Sequence, residues 1–161
     1  MPPTEDRTQR MAGSLPALGP VLEFMRSIWA LDHALQKTSK HIERTLGITA
    51  PQRLVIRILG RFPGMQAGQL AAVLHLHPST LTGVLKRLQR HGFITRRADP
   101  RDHRRAAFGL SPKGRAFDVE TEGTVEAAVR ATFNRLASTK VENAVEVLAA
   151  LTEALEARAE S

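Results

Sequence analysis

Between residues 47 and 112 the chain is cut by Gly47, Pro63-Gly64, Gly92 and Pro112 into segments of only a few helical turns. A stretch so interrupted folds as a lobe of short elements packed on one another rather than as a long bundle. Thr49 stands three positions ahead of Gln52, with Pro51 in the first turn, which predicts a capped helix running through Leu54, Val55, Ile58 and Leu59 to the Pro63-Gly64 break. Two helices follow in quick succession. The first covers roughly residues 67–74 with Leu70, Ala71 and Leu74 inward; the second opens with His77 as cap and Pro78 at its first position and runs to Arg90 with Leu81, Val84, Leu85 and Leu88 inward. Gly92 ends it. From Phe93 the period turns from helical to extended: residues 93–97 read as a strand, 99–104 as a polar turn and 106–110 as the returning strand of a two-stranded wing.

The flanks have a different character. Residues 20–46 carry Val21, Met25, Ile28, Leu31, Leu35, Ile42 and Leu46 at helical spacing with no internal Gly or Pro, so one long helix is expected there. Ser111-Pro112 starts a helix expected to reach Leu136, and Ser138 or Thr139 starts another with Val141, Val145, Leu148, Leu151 and Leu155 spaced by three and four. The fold class is mostly α with a small β wing: a disordered extension over 1–19, an N-terminal dimerisation helix over 20–46, a winged helix-turn-helix lobe over 47–110 and C-terminal dimerisation helices over 111–161.

Charge follows the same division. Residues 51–110 hold eleven Lys/Arg against Asp99 and Asp102, a net of +9, whereas residues 1–50 carry +1 and residues 111–161 carry −3. A basic centre between near-neutral and acidic ends suits a polyanion partner, against the plainer reading of a generally basic surface. The chain has no cysteine, which fits a reducing compartment and excludes thiolate zinc sites and cysteine-based sensing. No run approaches the roughly 18 apolar residues of a membrane span and no secretory segment is evident, so a cytoplasmic protein is expected.

A short helix, a tight turn and a second helix of about three turns is the arrangement in which the second helix enters the DNA major groove. Opposite its apolar stripe that helix carries Ser79, Thr80, Thr82, Gly83, Lys86, Arg87 and Arg90. Small hydroxyl residues allow close approach to base edges, and the three cations can neutralise phosphate or reach guanine; the plainer reading is a solvated helix face. Leu46 to Phe117 resembles the winged-helix core of the MarR (multiple antibiotic resistance regulator) family. The resemblance is carried by Ile48-Thr49 with Gln52, Gln69-Leu70-Ala71, Ser79-Thr80-Leu81-Thr82, Arg87-Leu88, Gly92-Phe93-Ile94, the wing from Asp99 to Arg105, and Leu110-Ser111-Pro112-Lys113-Gly114. It implies a symmetric dimer with two recognition helices in successive major grooves and wing arginines in the minor groove. By motif position Arg101 resembles the minor-groove arginine, Asp99 the residue that fixes the wing, and Arg104 a further wing contact, with Arg96 and Arg97 at the strand base as phosphate contacts. Two positions depart from the family: His75 stands where it commonly has Gly, and His77 where it has a small cap. His tolerates a left-handed backbone better than most residues, so the turn is expected to survive.

Catalysis and cofactors are not expected. His75 and His77 have no acid or Cys beside them to complete a metal site, and Asp102-His103 has no nucleophile nearby in sequence. Trp29 and His33, on the first long helix, are the candidate pocket for a small aromatic or phenolic effector that the resemblance implies; the alternative places Trp29 in the core or a dimer interface. The resulting expectation is a homodimeric repressor that binds a palindromic double-stranded operator and is released by such a ligand. Its rivals are a DNA-binding architectural protein without a ligand and an adaptor that uses the winged helix to bind protein.

Overall fold

The computed structural model of the protein describes residues 18–98 and 106–159, and the chain divides into two units, residues 1–37 and 38–161. In the first unit the described residues belong almost wholly to α1 (Gly19–Leu46), which continues into the second. Leu22, Phe24, Met25, Trp29, Leu31 and Leu35 are all exposed along it. The helix ends as expected at Gly47, whose φ of +71° a side chain would resist, with the Gly47 N–H on the Glu43 carbonyl at 3.0 Å. No helix among the described residues is long and apolar enough to cross a membrane.

The second unit begins at the end of α1 and continues with α2 (Ala50–Arg61), β1 (Met65–Gln66), α3 (Ala67–Leu74), α4 (Pro78–Arg90), β2 (Ile94–Ala98), β3 (Ala106–Leu110), α5 (Pro112–Phe117), α6 (Val125–Phe133) and α7 (Ser138–Ala159). The expected capping box opens α2: the Gln52 N–H donates to Thr49 Oγ1 at 3.4 Å and the Thr49 N–H to Gln52 Oε1 at 3.0 Å. Gln52, Val55, Ile56 and Leu59 face inward and Leu54 is 51% exposed, because Arg53 is itself drawn inside. The core gathers Ile42, Ile48, Val55, Ile56, Leu59, Leu70, Leu81, Leu85, Leu88, Phe93, Ile94 and Phe108. Each such side chain contributes roughly 1.5–3 kcal/mol on leaving water.

The wing has a third strand. β2 and β3 pair antiparallel with Ile94 opposite Leu110 and Ala98 opposite Ala106, and β1 adds to the other side of β3 with Met65 opposite Phe108. Two residues are too few to show a period, so nothing in the pattern of Met65-Gln66 announces a strand.

The helix expected from Pro112 to Leu136 is broken into α5 and α6, and Arg53 is the physical reason. Although only 2% exposed, it donates from Nη2 to the Val119 carbonyl at 2.6 Å and to Thr121 Oγ1 at 3.4 Å, from Nη1 to the Phe117 carbonyl at 3.4 Å, and from Nε to Glu126 Oε1 at 2.6 Å. Carbonyls that a continuous helix would use internally are turned towards a guanidinium instead. Gly123 then reverses the chain at φ +76° and Thr124 caps α6 by accepting the Ala127 N–H. Beside this strut Arg57 Nη1 meets Asp118 Oδ1 at 2.5 Å. Asp118 lies so close to the Gly60 backbone that a Cβ there would displace its carboxylate from the position in which it meets Arg57.

Burial pushes the Glu126 carboxyl up, but hydrogen bonds from Arg53, its own backbone and Thr124, together with the Arg53 charge, outweigh that and hold it below the usual value. A carboxylate with a depressed folded-state pKa stabilises the fold fully above its unfolded value and loses that contribution as pH falls through the folded one. Urea titrations from neutral to acid pH should therefore give a flatter acid limb for Glu126→Gln than for the wild type. Glu126→Ala leaves Arg53 buried without its counter-charge and should cost about 3 kcal/mol at neutral pH; a loss below ~0.5 kcal/mol would mean that the carbonyls alone satisfy the guanidinium.

Candidate nucleic-acid interface

The helix that carries the candidate face is held at both ends by specific backbone closures. At its front, α3 terminates in a left-handed turn at His75, φ +48° and ψ +41°, and the Leu76 and His75 N–H groups return to the carbonyls of Ala71 and Ala72 at 3.1 and 3.3 Å. This is the double closure usually built on glycine. A side chain in the left-handed region costs about 1 kcal/mol, and Leu76, packed against the core, offsets it. At the far end, Gly92 and Phe93 make the same closure on Gln89 and Leu88 at 3.0 and 2.9 Å. His77 caps α4 as expected, its Nδ1 accepting the Ser79 N–H at 3.3 Å.

Between these ends Leu81, Leu85 and Leu88 are buried. At about 3.6 residues per turn, Ser79, Gly83, Lys86 and Arg90 run down the opposite line, with Thr82 on one flank and Thr80 and Arg87 on the other. All seven are exposed. Thr82 Oγ1 donates to the Pro78 carbonyl at 2.8 Å, so its lone pairs are what it offers outward. Gly83 has open space where a Cβ would go. Unlike Gly60, it meets no atom of the described residues there.

Two kinds of arginine separate here. Arg53 and Arg57 are paired with Glu126 and Asp118 of the acidic C-terminal third, so two of the charges counted in the basic centre belong to the scaffold. Among the described residues Lys86, Arg87, Arg90, Arg96 and Arg97 have no ion-pair partner, and they remain for an external anion. Arg96 and Arg97 do not act together. In the β2–β3 register Arg96 stands opposite Phe108, on the face of the sheet that also carries the buried Ile94, while Arg97 stands opposite Ala107 on the other face with Thr95. Asp99, Arg101 and Arg104 lie outside the described residues. Trp29 is 62% exposed and His33 is exposed beside it on α1.

The sequence reading missed Arg53 as an organising residue. It lies in the half-turn after the Thr49/Gln52 cap, where a charged residue on an amphipathic helix reads as solvated; its only signal was that an inward phase starting at Gln52 passes through it. His75 approaches Glu156 of α7, Nδ1 to Oε1 at 4.0 Å, and among the described residues no group of three or more His, Asp or Glu is placed to hold a metal ion.

Residues 48–106 match the family model of the MarR family. The HTH-type transcriptional regulator TtmR of Methylorubrum extorquens is 31% identical over 91 residues, 56% of this chain and 47% of the relative. The HTH-type transcriptional repressor Rv2887 of Mycobacterium tuberculosis is 31% identical over 91 residues, 56% of this chain and 66% of its own length. The matched part of the chain thus spans about half to two thirds of these relatives. Among solved structures the S. aureus MepR–DNA complex superposes with a TM-score of 0.68 at 21% identity, over 84% of this chain and 98% of that one, a likeness of fold.

The glycine on the exposed face has a measurable consequence. Removing an unneeded glycine from a helix interior should raise the unfolding free energy of Gly83→Ala by up to ~1 kcal/mol, read by urea denaturation. Destabilisation instead would reveal a contact that the open space at Gly83 does not suggest.

Proposed function

Because the chain belongs to the MarR family through its winged-helix lobe, we propose that it is a sequence-specific DNA-binding transcriptional regulator, a repressor that acts in the cytoplasm as a homodimer on a palindromic operator. The observation that carries this reading is the exposed line of Ser79, Gly83, Lys86 and Arg90 on α4: a hydroxyl group at the front, a glycine that admits close approach, and cations without an ion-pair partner among the described residues. A backbone of phosphates supplies the missing counter-charge, and base edges meet the hydroxyls. Rv2887 is named a repressor and the MepR structure is a DNA complex, which support the reading by kinship and by fold.

The dimer rests on apolar surface. Val21, Leu22, Phe24 and Met25 on α1, and Phe133, Val145, Leu148 and Leu155 on α6 and α7, are exposed in the single chain. That is more apolar surface than an isolated soluble chain ordinarily leaves to water, and a second copy covers it symmetrically. Trp29 and His33 remain the proposed contacts for a small aromatic or phenolic effector that favours a DNA-incompetent arrangement.

Selection of bound fragments from random duplexes tests the function. A palindromic consensus is expected; retention without a consensus would favour an architectural protein, and no retention a protein-binding adaptor. Gly83→Ala should weaken operator binding even as it stabilises the fold, so a variant that binds as tightly as the wild type would remove α4 from the groove. Arg101, by its place in the wing, is proposed to enter the minor groove. Arg101→Ala should lower affinity for most sequences and reduce the salt dependence by about one counterion per site, whereas Lys86→Ala should also change base preference by ~1–3 kcal/mol. Unchanged affinity and salt slope for Arg101→Ala would mean that the wing does not touch DNA. Sedimentation should give a dimer at micromolar concentration, and a stable monomer would exclude the symmetric arrangement.

A further inference from the structure

The histidine that caps α4 does more than close a helix. His77 Nδ1 lies 3.3 Å from the Ser79 backbone nitrogen and 2.7 Å from Ser79 Oγ. A backbone N–H can only donate, so Nδ1 presents its lone pair and the ring proton of the neutral imidazole sits on Nε2. The same lone pair governs the hydroxyl. Facing an acceptor at 2.7 Å, the Ser79 O–H donates to the ring, and its oxygen is left with lone pairs alone for anything outside. A serine that could both donate and accept becomes an acceptor. Thr82, one turn along on the same side, reaches the same state by a different route, its hydroxyl hydrogen being taken by the Pro78 carbonyl at 2.8 Å. His77, Ser79 and Thr82 are all exposed, so this polarity faces outward.

Resting on the DNA-binding reading above, we infer that His77 is a specificity-determining residue: by holding the Ser79 hydroxyl hydrogen it makes Ser79 an acceptor for a base amino group in the major groove. In that groove the amino donors are adenine N6 and cytosine N4, whereas guanine and thymine offer only acceptors or a methyl group at the matching edge. Ser79 therefore favours adenine or cytosine on the strand it faces and rejects guanine and thymine, whose acceptor atoms would meet an oxygen with no hydrogen to give. A small cap such as Ser would satisfy the helix end without binding the neighbouring hydroxyl in this way. Thr82 owes nothing to the ring, so its base preference is independent of residue 77.

Selection from random duplexes with the full-length wild type, Ser79→Ala, His77→Ala and His77→Gly, each variant's melting temperature being measured alongside, tests this. The wild type should show one position with about tenfold preference for adenine or cytosine. Ser79→Ala should lose it, and His77→Ala should lose it at that position and no other, leaving the Thr82 position intact. His77→Gly keeps an acceptable capping residue and with it a melting temperature close to the wild type, yet should still lose the preference because no side chain is left to accept the Ser79 hydroxyl hydrogen. If His77→Gly retains the wild-type preference, or if His77→Ala weakens all sequences evenly, His77 is a helix cap only and the inference fails while the regulator reading stands. A wild type that selects no consensus at all sinks the regulator reading and this inference with it.

Discussion

A single buried guanidinium organises the C-terminal side of the lobe. Arg53 enters the protein interior from α2, and a positive charge there is tolerable only with a carboxylate and several carbonyls arranged around it. The segment from Phe117 to Glu126 supplies them, and in doing so cannot continue as one helix between α5 and α6. From that follow the end of α5 at Phe117, the reversal at Gly123, the cap at Thr124 and the direction in which α6 departs. The Arg57–Asp118 pair and the bare backbone at Gly60 complete the same joint. The charge arrangement is thus a means of fixing geometry, and it gives two of the nine acids of residues 111–161, Asp118 and Glu126, their partners in α2.

The joint also separates structural charge from available charge. Arginines drawn into the scaffold are neutralised by acids far away in sequence, while those on α4 and β2 have no ion-pair partner among the described residues. A formal count over a stretch of sequence cannot make this distinction, because it depends on which side of a helix each residue occupies. Arg53 and Arg57 lie on the side of α2 that meets the C-terminal segment; Lys86 and Arg90 lie on the side of α4 that is exposed among the described residues. What remains exposed is a narrower basic strip than the sequence total suggests, lined by small hydroxyl residues and a glycine.

Local rules were legible in the sequence where they concern neighbours. The Thr49/Gln52 box, the stop at Gly47, the His77 cap, the inward positions Leu81, Leu85 and Leu88 and the pairing of the two wing strands all depend on residues within a few turns of each other, and their spacing expresses them. What was not legible depends on partners distant in the chain. β1 is a strand only because Phe108 and Ala107 offer an open edge, and the break after Phe117 exists only because a guanidinium more than sixty positions earlier reaches its carbonyls. Arg53 was not legible for the same reason: Leu54 is the more apolar residue, but it is Arg53 that is buried, against the C-terminal segment. For the exposed face the residues were legible and their grouping was not, since only the strand register separates Arg96 from Arg97.

The turn between α3 and α4 links these levels. Two histidines occupy positions where a glycine and a small cap would close it at less cost, and each makes the closure by its own route: His75 through a left-handed backbone held by two hydrogen bonds and the inward packing of Leu76, His77 through a ring nitrogen in place of a hydroxyl. Neither substitution alters the path of the chain, because the two returning N–H groups and the Pro78 start are backbone features. What they alter is what the turn presents. A glycine and a serine would leave a small, conformationally free corner at the front of the exposed helix, whereas two imidazoles give it bulk and, at Ser79, a fixed hydrogen-bond direction. Backbone closure sets where α4 lies, and the side chains that stand in for the commoner residues are then free to set what it presents.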